Sequence, residues 1–141
     1  EAQAKQACTA AVQSALLCLE TLEGLNRERL IKRQPTLRTG IGLHRGEVVY
    51  GNIGTQSRLD FTVLGRPVNV ASRIESKCSE IGELLLASGP VAALSAVDLT
   101  SRGRHRLRGV ETAVELFGLP PDRVFEASSS PQEILPSSPI P

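Results

Sequence analysis

The strongest constraint on what this chain can fold into lies between residues 37 and 82. There, short β-type runs are cut by glycine and the last run opens straight into a helix. Residues 37–44 and 47–53 read as two strands, with Arg45-Gly46 between them fitting a tight turn. Gly51-Asn52-Ile53-Gly54 punctuates the second strand, and residues 59–64 form a third, closed by Gly65. Pro67 then suits the first turn of a helix, where its missing N–H has no partner to lose. Val70, Ile74, Cys78 and Ile81 give that helix one apolar stripe, and Gly82 ends it by tolerating the left-handed conformation.

Helices and strands alternate on either side of this segment. Residues 2–33 read as a long amphipathic helix in which Cys8, Val12, Ala15, Leu16, Leu19 and Leu22 recur at spacings of three and four. Gln34-Pro35 closes it, because a residue before proline avoids the helical region. Residues 83–87 form a strand, and Ser88 is placed to cap a short helix with Pro90 close behind. The last two strands fall at residues 102–108 and 114–118. This order predicts an α/β (α+β) layered domain over residues 1–118. Six of the nine prolines and five serines lie in the last 22 residues, so residues 119–141 are expected to form a disordered tail or linker.

Composition narrows the function classes. A net charge of +1 and only three Phe, one Tyr and no Trp argue against a nucleic-acid binder, which needs basic surface and stacking faces. Cys8, Cys18 and Cys78 are too widely spaced for a zinc site and odd in number for a disulfide framework. Cys8 and Cys78 therefore read as buried thiols, in a reducing compartment. No apolar run approaches the ~18 residues of a membrane helix. A cytoplasmic domain is expected, with any membrane tether in other parts of its parent. The chain has no methionine, so it is read as part of something longer.

The candidate site sits where the third strand meets the second predicted helix. Asn69 and Arg73 are four residues apart and project from one helix face, and Thr62 lies on the strand just before. A guanidinium fork matches phosphate oxygens, and an amide can anchor a ribose or a base edge. Spacing alone also fits a surface arginine and an asparagine that helps start the helix.

Two runs carry more: G-I-G-L-H-R-G-E-V-V-Y-G-N-I-G at residues 40–54 and F-T-V-L-G-R-P-V-N-V-A-S-R-I-E at residues 61–75. Together they resemble the C-terminal half of class III adenylate and guanylate cyclase catalytic domains, in order over about residues 5–118. The resemblance implies a ferredoxin-like nucleotide cyclase fold, truncated at its N-terminus, and a parent that turns ATP into 3′,5′-cyclic AMP and pyrophosphate for intracellular signalling. Arg73 would bind the α-phosphate, and Asn69 would hold the ribose. Thr62 would take the base-selecting position, where threonine resembles bacterial-type adenylate cyclases, with GTP as the other substrate option. The resemblance further implies two Mg2+ or Mn2+ ions held by aspartates and a site shared between two cyclase domains, as a homo- or heterodimer. Nothing in this chain matches those aspartates, and Asp60 falls on the wrong strand, so the segment alone is expected to be inactive. The alternative is an inactive cyclase-homology module that regulates or dimerises. Arg66-Pro67 follows Gly65 where many members carry Asp or Asn, which puts the helix cap in question.

Arg102, Arg104, Arg106 and Arg108 alternate, and a regular strand would put all four on one face. That face is either solvated or turned to the triphosphate, and family members often show Leu-Lys-Gly where this chain has Leu107-Arg108-Gly109. Arg108 is accordingly a substrate-binding candidate. His44, Glu47 and His105 read as structural, and Gly51–Gly54 as a turn near the dimer interface.

Overall fold

The computed structural model describes residues 1–55, 57–123 and 125. The chain runs α1 (Ala2–Ile31), β1 (Ile41–Leu43), β2 (Val49–Thr55), β3 (Arg58–Leu64) and α2 (Arg66–Ile81). It continues through β4 (Leu85–Ser88), α3 (Gly89–Ala92), β5 (Thr100–His105) and β6 (Val114–Gly118). Four strands form one sheet in the order β1-β4-β6-β5, and β2 and β3 make a separate antiparallel pair. Only β1 and β4 run parallel within the larger sheet, which requires the long crossover that α2 supplies.

Side-chain alternation decides which helix covers which face. Ile41 and Leu43 of β1 and Leu85 and Ala87 of β4 pack with Cys8, Val12, Ala15, Leu16 and Leu19 of α1. Leu86 points the other way and joins Val70, Ile74 and Cys78 of α2, together with Leu107 and Leu116. The sheet is thus covered on both sides, and β4 is buried along its whole length. Burying Leu85, Leu86 or Leu116, each 0% exposed, is worth about 1.5–3 kcal/mol apiece.

α1 ends two residues before the expected limit. Its C-cap is Lys32, and Arg33 adopts φ 54. The Asn26 amide donates to the Leu37 carbonyl and accepts from the Leu37 N–H, both at 2.8 Å, pinning the following loop to the helix.

Three other expectations are corrected. β1 and β2 do not pair across Arg45-Gly46, because β1 is half-buried against the helices and takes β4 as its partner. Gly51 and Gly54 lie inside β2, opposite Thr62 and Leu59, and form no turn. The arginine alternation is broken by an irregularity between Ser101 and Arg104, where Gly103 has φ 82. Arg102 therefore pairs with Glu83 and donates to the Leu119 carbonyl, while Arg104 donates to the Ala113 carbonyl. Arg106 and Arg108 lie beyond the strand.

Leu119 is buried and Phe125 packs against the α1-side cluster, so packing continues past residue 118. Residues 126–141, on which most of the expected tail falls, lie outside the described residues.

Candidate active site

Three glycines set the position of α2. A Cβ on Gly42 would stand 2.5 Å from the Glu75 nitrogen and 2.6 Å from the Ala71 carbonyl oxygen. One on Gly40 would stand 2.8 Å from the Cys78 Cβ, and one on Gly46 would enter the Pro67 ring. The helix thus lies close against β1 and its flanks, with its backbone on Gly42 and its side chains on Gly40 and Gly46. The sequence reading places Gly46 in a turn and gives Gly40 and Gly42 no role of their own. Gly40 and Gly42, alternating with Ile41 and Leu43, were the available signal of a close helix–sheet approach.

On that helix Val70, Ile74 and Cys78 face the core, while Asn69 and Arg73 are exposed. Among the described residues neither Asn69 nor Arg73 has a hydrogen-bond or ion-pair partner. Gly65 is the N-cap at φ 147, a conformation that favours glycine. No side chain caps the helix and no acidic residue lies in its first turn, so its partial positive charge is not offset there.

Thr62 lies on β3 directly before this junction, half-buried, and its cross-strand neighbour is Gly51. With no side chain opposite, the Thr62 hydroxyl keeps open space on its own face. Arg108 is exposed in the turn after β5, where the Val110 N–H donates to the Leu107 carbonyl at 3.0 Å. Leu107 is buried in the same cluster as Val70 and Ile74, which holds the Arg108 turn to the sheet face that α2 covers.

His44 and His105 both make contacts within the fold, His105 Nε2 lying 2.7 Å from the Arg102 carbonyl oxygen. His44 Nδ1 lies 2.8 Å from the Ser88 hydroxyl, and burial lowers the His44 pKa. Ser88 occupies the N-cap of α3 but makes no side-chain cap bond; its hydroxyl is directed to His44 instead. The Cys78 thiol is buried, donates toward the Ile41 carbonyl and is pushed up to about 11, chiefly by burial, which makes it inert. An apolar cleft of about 480 Å³ between α1 and α2 is lined by Ala7, Cys8, Leu43, Val63, Val68 and Ala71 among others. It contains none of Thr62, Asn69, Arg73 or Arg108, and His44 and Arg45 line it among mostly apolar neighbours.

A sequence model of the adenylate and guanylate cyclase catalytic domain matches residues 2–119. The chain belongs to this cyclase family. It is 36% identical over 109 residues to adenylate cyclase 1 of Rhizobium meliloti (strain 1021), covering 76% of this chain and 16% of that protein. To the adenylate cyclase of Anabaena cylindrica it is 37% identical over 113 residues, covering 77% of this chain and 22% of that one. The cyclase domain therefore spans less than a quarter of the length of these two relatives.

Solved structures agree. The adenylyl cyclase CyaB from P. aeruginosa superposes with a TM-score of 0.72 at 29% identity, over 85% of this chain and 62% of that one. The guanylyl cyclase Cya2 does so with a TM-score of 0.63 at 26% identity, over 89% and 61%. The cyclase domain thus has the nucleotide cyclase fold, an α+β arrangement with helices on both faces of its main sheet.

Proposed function

We propose that this chain supplies the asparagine–arginine side of an active site shared between two cyclase domains. The protein that carries it converts ATP to 3′,5′-cyclic AMP and pyrophosphate. The observation that carries this reading is α2 itself: Asn69 and Arg73 are exposed, one turn apart, without internal partners, on a helix packed backbone-to-strand against the sheet. The two relatives described above, both named adenylate cyclases, support ATP as the substrate.

The reaction joins the ribose 3′-oxygen to the α-phosphorus and breaks the bond to pyrophosphate. Negative charge grows on the non-bridging α-phosphate oxygens as the new bond forms. Arg73 donates to those oxygens, and because α2 is fixed in advance, little reorganisation is needed as the charge develops. Asn69 holds the ribose so that its 3′-oxygen lies in line with the leaving group. Thr62 contacts the base edge, with GTP as the substrate if its hydroxyl reads guanine instead. Arg108 meets the triphosphate from the turn beside the sheet. The Mg2+ or Mn2+ ions of this reaction class find no ligand set here. Among the described residues no group of three or more His, Cys, Asp or Glu is placed to hold a metal. No step is assigned to them on this chain.

A partner must therefore complete the site. Thr62 shares its hairpin face with Val49, Ile53 and Leu64, which are 70%, 43% and 50% exposed. A second cyclase domain, one that keeps the metal-binding aspartates, covers that face. No described helix is long and apolar enough to cross a membrane, and we place the domain in the cytoplasm.

The second reading is an inactive cyclase-homology module that regulates a catalytic partner, and two aspartates on neighbouring strands upstream of this segment would argue against it. Kinetics on the full-length protein separate the two. Arg73→Ala should cut kcat for cyclic AMP formation by about 10²–10³-fold, the scale for one lost preorganised donor. Arg73→Lys should recover only part, since an ammonium cannot reproduce the planar fork. A near-normal rate in Arg73→Ala would remove the assigned role, and no cyclase activity in the wild-type protein would favour the regulatory module.

A further inference from the structure

We propose that Gly42 and Gly46 are positioning residues for the cyclase reaction: they set how closely α2 sits on β1, and so where Arg73 and Asn69 meet the nucleotide. The inference rests on the reading of Arg73 and Asn69 given above. Gly42 touches the helix at the Ala71 carbonyl and the Glu75 N–H, the two backbone groups that bracket Arg73. Gly46 touches it at Pro67, just before Asn69. The two seats therefore act on different reactive side chains.

The contacts differ in kind. At Gly42 the obstacle is helix backbone, which cannot rotate away as a side chain can. A methyl group there forces α2 outward or along its axis. At Gly46 the obstacle is the proline ring alone. Gly40 meets the Cys78 Cβ at the far end of the helix and serves as a third seat, distant from both reactive side chains. Burial tolerates some loss of this closeness, at a cost in packing, since Val70, Ile74 and Cys78 would still face Leu86 and Leu116. Reactivity does need it, because a shift of about 1 Å at a reacting group can cost 10²-fold in rate.

The test uses the full-length protein and measures kcat and KM for ATP, with thermal unfolding recorded for every variant. Gly42→Ala should lower kcat about 10–10²-fold and leave KM within about threefold. In an Arg73→Ala background the same change should cost less than about threefold more, because the group it displaces is already gone. Gly46→Ala should behave likewise against Asn69→Ala. Adding Pro67→Gly to Gly46→Ala removes the ring it strikes and should restore most of the lost kcat. A folded Gly42→Ala with unchanged kcat would overturn the proposal. So would a loss of equal size with and without Arg73, which is the signature of general destabilisation. If Gly42→Ala does not fold, the Gly46 pair decides alone: no loss, or no recovery with Pro67→Gly, overturns the proposal. A near-normal rate in Arg73→Ala itself would instead remove the reading of the site on which this inference stands.

Discussion

The main sheet and the β2–β3 hairpin use apolar residues in opposite ways. In the sheet, Leu85, Leu86 and Leu116 are 0% exposed, held between α1 on one side and α2 on the other. In the hairpin, Val49, Tyr50 and Phe61 are 70%, 71% and 68% exposed, and the two strands form a sheet of their own. A cross-strand aromatic contact between Tyr50 and Phe61, with ring centroids 6.2 Å apart, is what the hairpin achieves alone. The difference separates what the chain builds for itself from what it leaves for another domain. α2 belongs to both regions: its inner face completes the core, and its outer flank carries Asn69 and Arg73.

The largest test of that division is Leu86→Ala. It should cost about 2–5 kcal/mol of folding stability in chemical denaturation, since it empties a packed position. A loss below ~1 kcal/mol would mean that the α2 side of the core is not closed. Next in size is Val49→Asp on the Thr62 face of the hairpin. It should weaken assembly of two cyclase domains about tenfold or more, roughly 1.4 kcal/mol, by sedimentation, with little change in unfolding temperature. Unchanged assembly would move the interface elsewhere. Gly24→Ala provides a contrast with the glycines of β1. A Cβ there meets nothing within 4 Å, so the change should stabilise the protein by about 0.5–1 kcal/mol through helix propensity and leave kcat alone. The least is expected from pH. Burial holds the folded His44 below the ordinary imidazole value of 6.5, so the unfolded chain binds the proton more readily. Stability is then full above that value and declines as pH falls below it, and His44→Gln should flatten the decline.

Much of the architecture was legible in the sequence for a simple reason. The apolar stripes of α1 and α2 are local, and Pro67 and Gly82 bound the second helix by backbone chemistry alone. Asn69 and Arg73 could be placed on one exposed flank from their spacing, because helical periodicity survives any tertiary context. Pairing was less legible. Residues on either side of Arg45-Gly46 looked like hairpin arms, yet the partner of β1 lies more than forty positions away, at Leu85 to Ala87. The four alternating arginines assumed an unbroken strand, and a single extra residue at Gly103 changed the phase. The glycines of β1 were visible, but their purpose became clear only once α2 lay against them.

The central claim is that this chain holds one half of a shared catalytic site. The most direct measurement joins it, in one polypeptide, to an adenylate cyclase domain that keeps its metal-binding aspartates but has lost its own asparagine and arginine, and follows cyclic AMP production from ATP. Tandem linkage removes weak association as a confounding factor. The account predicts that cyclic AMP forms, and that Arg73→Ala in this chain abolishes most of it. No product from the fusion, or equal product with Arg73→Ala, would contradict it.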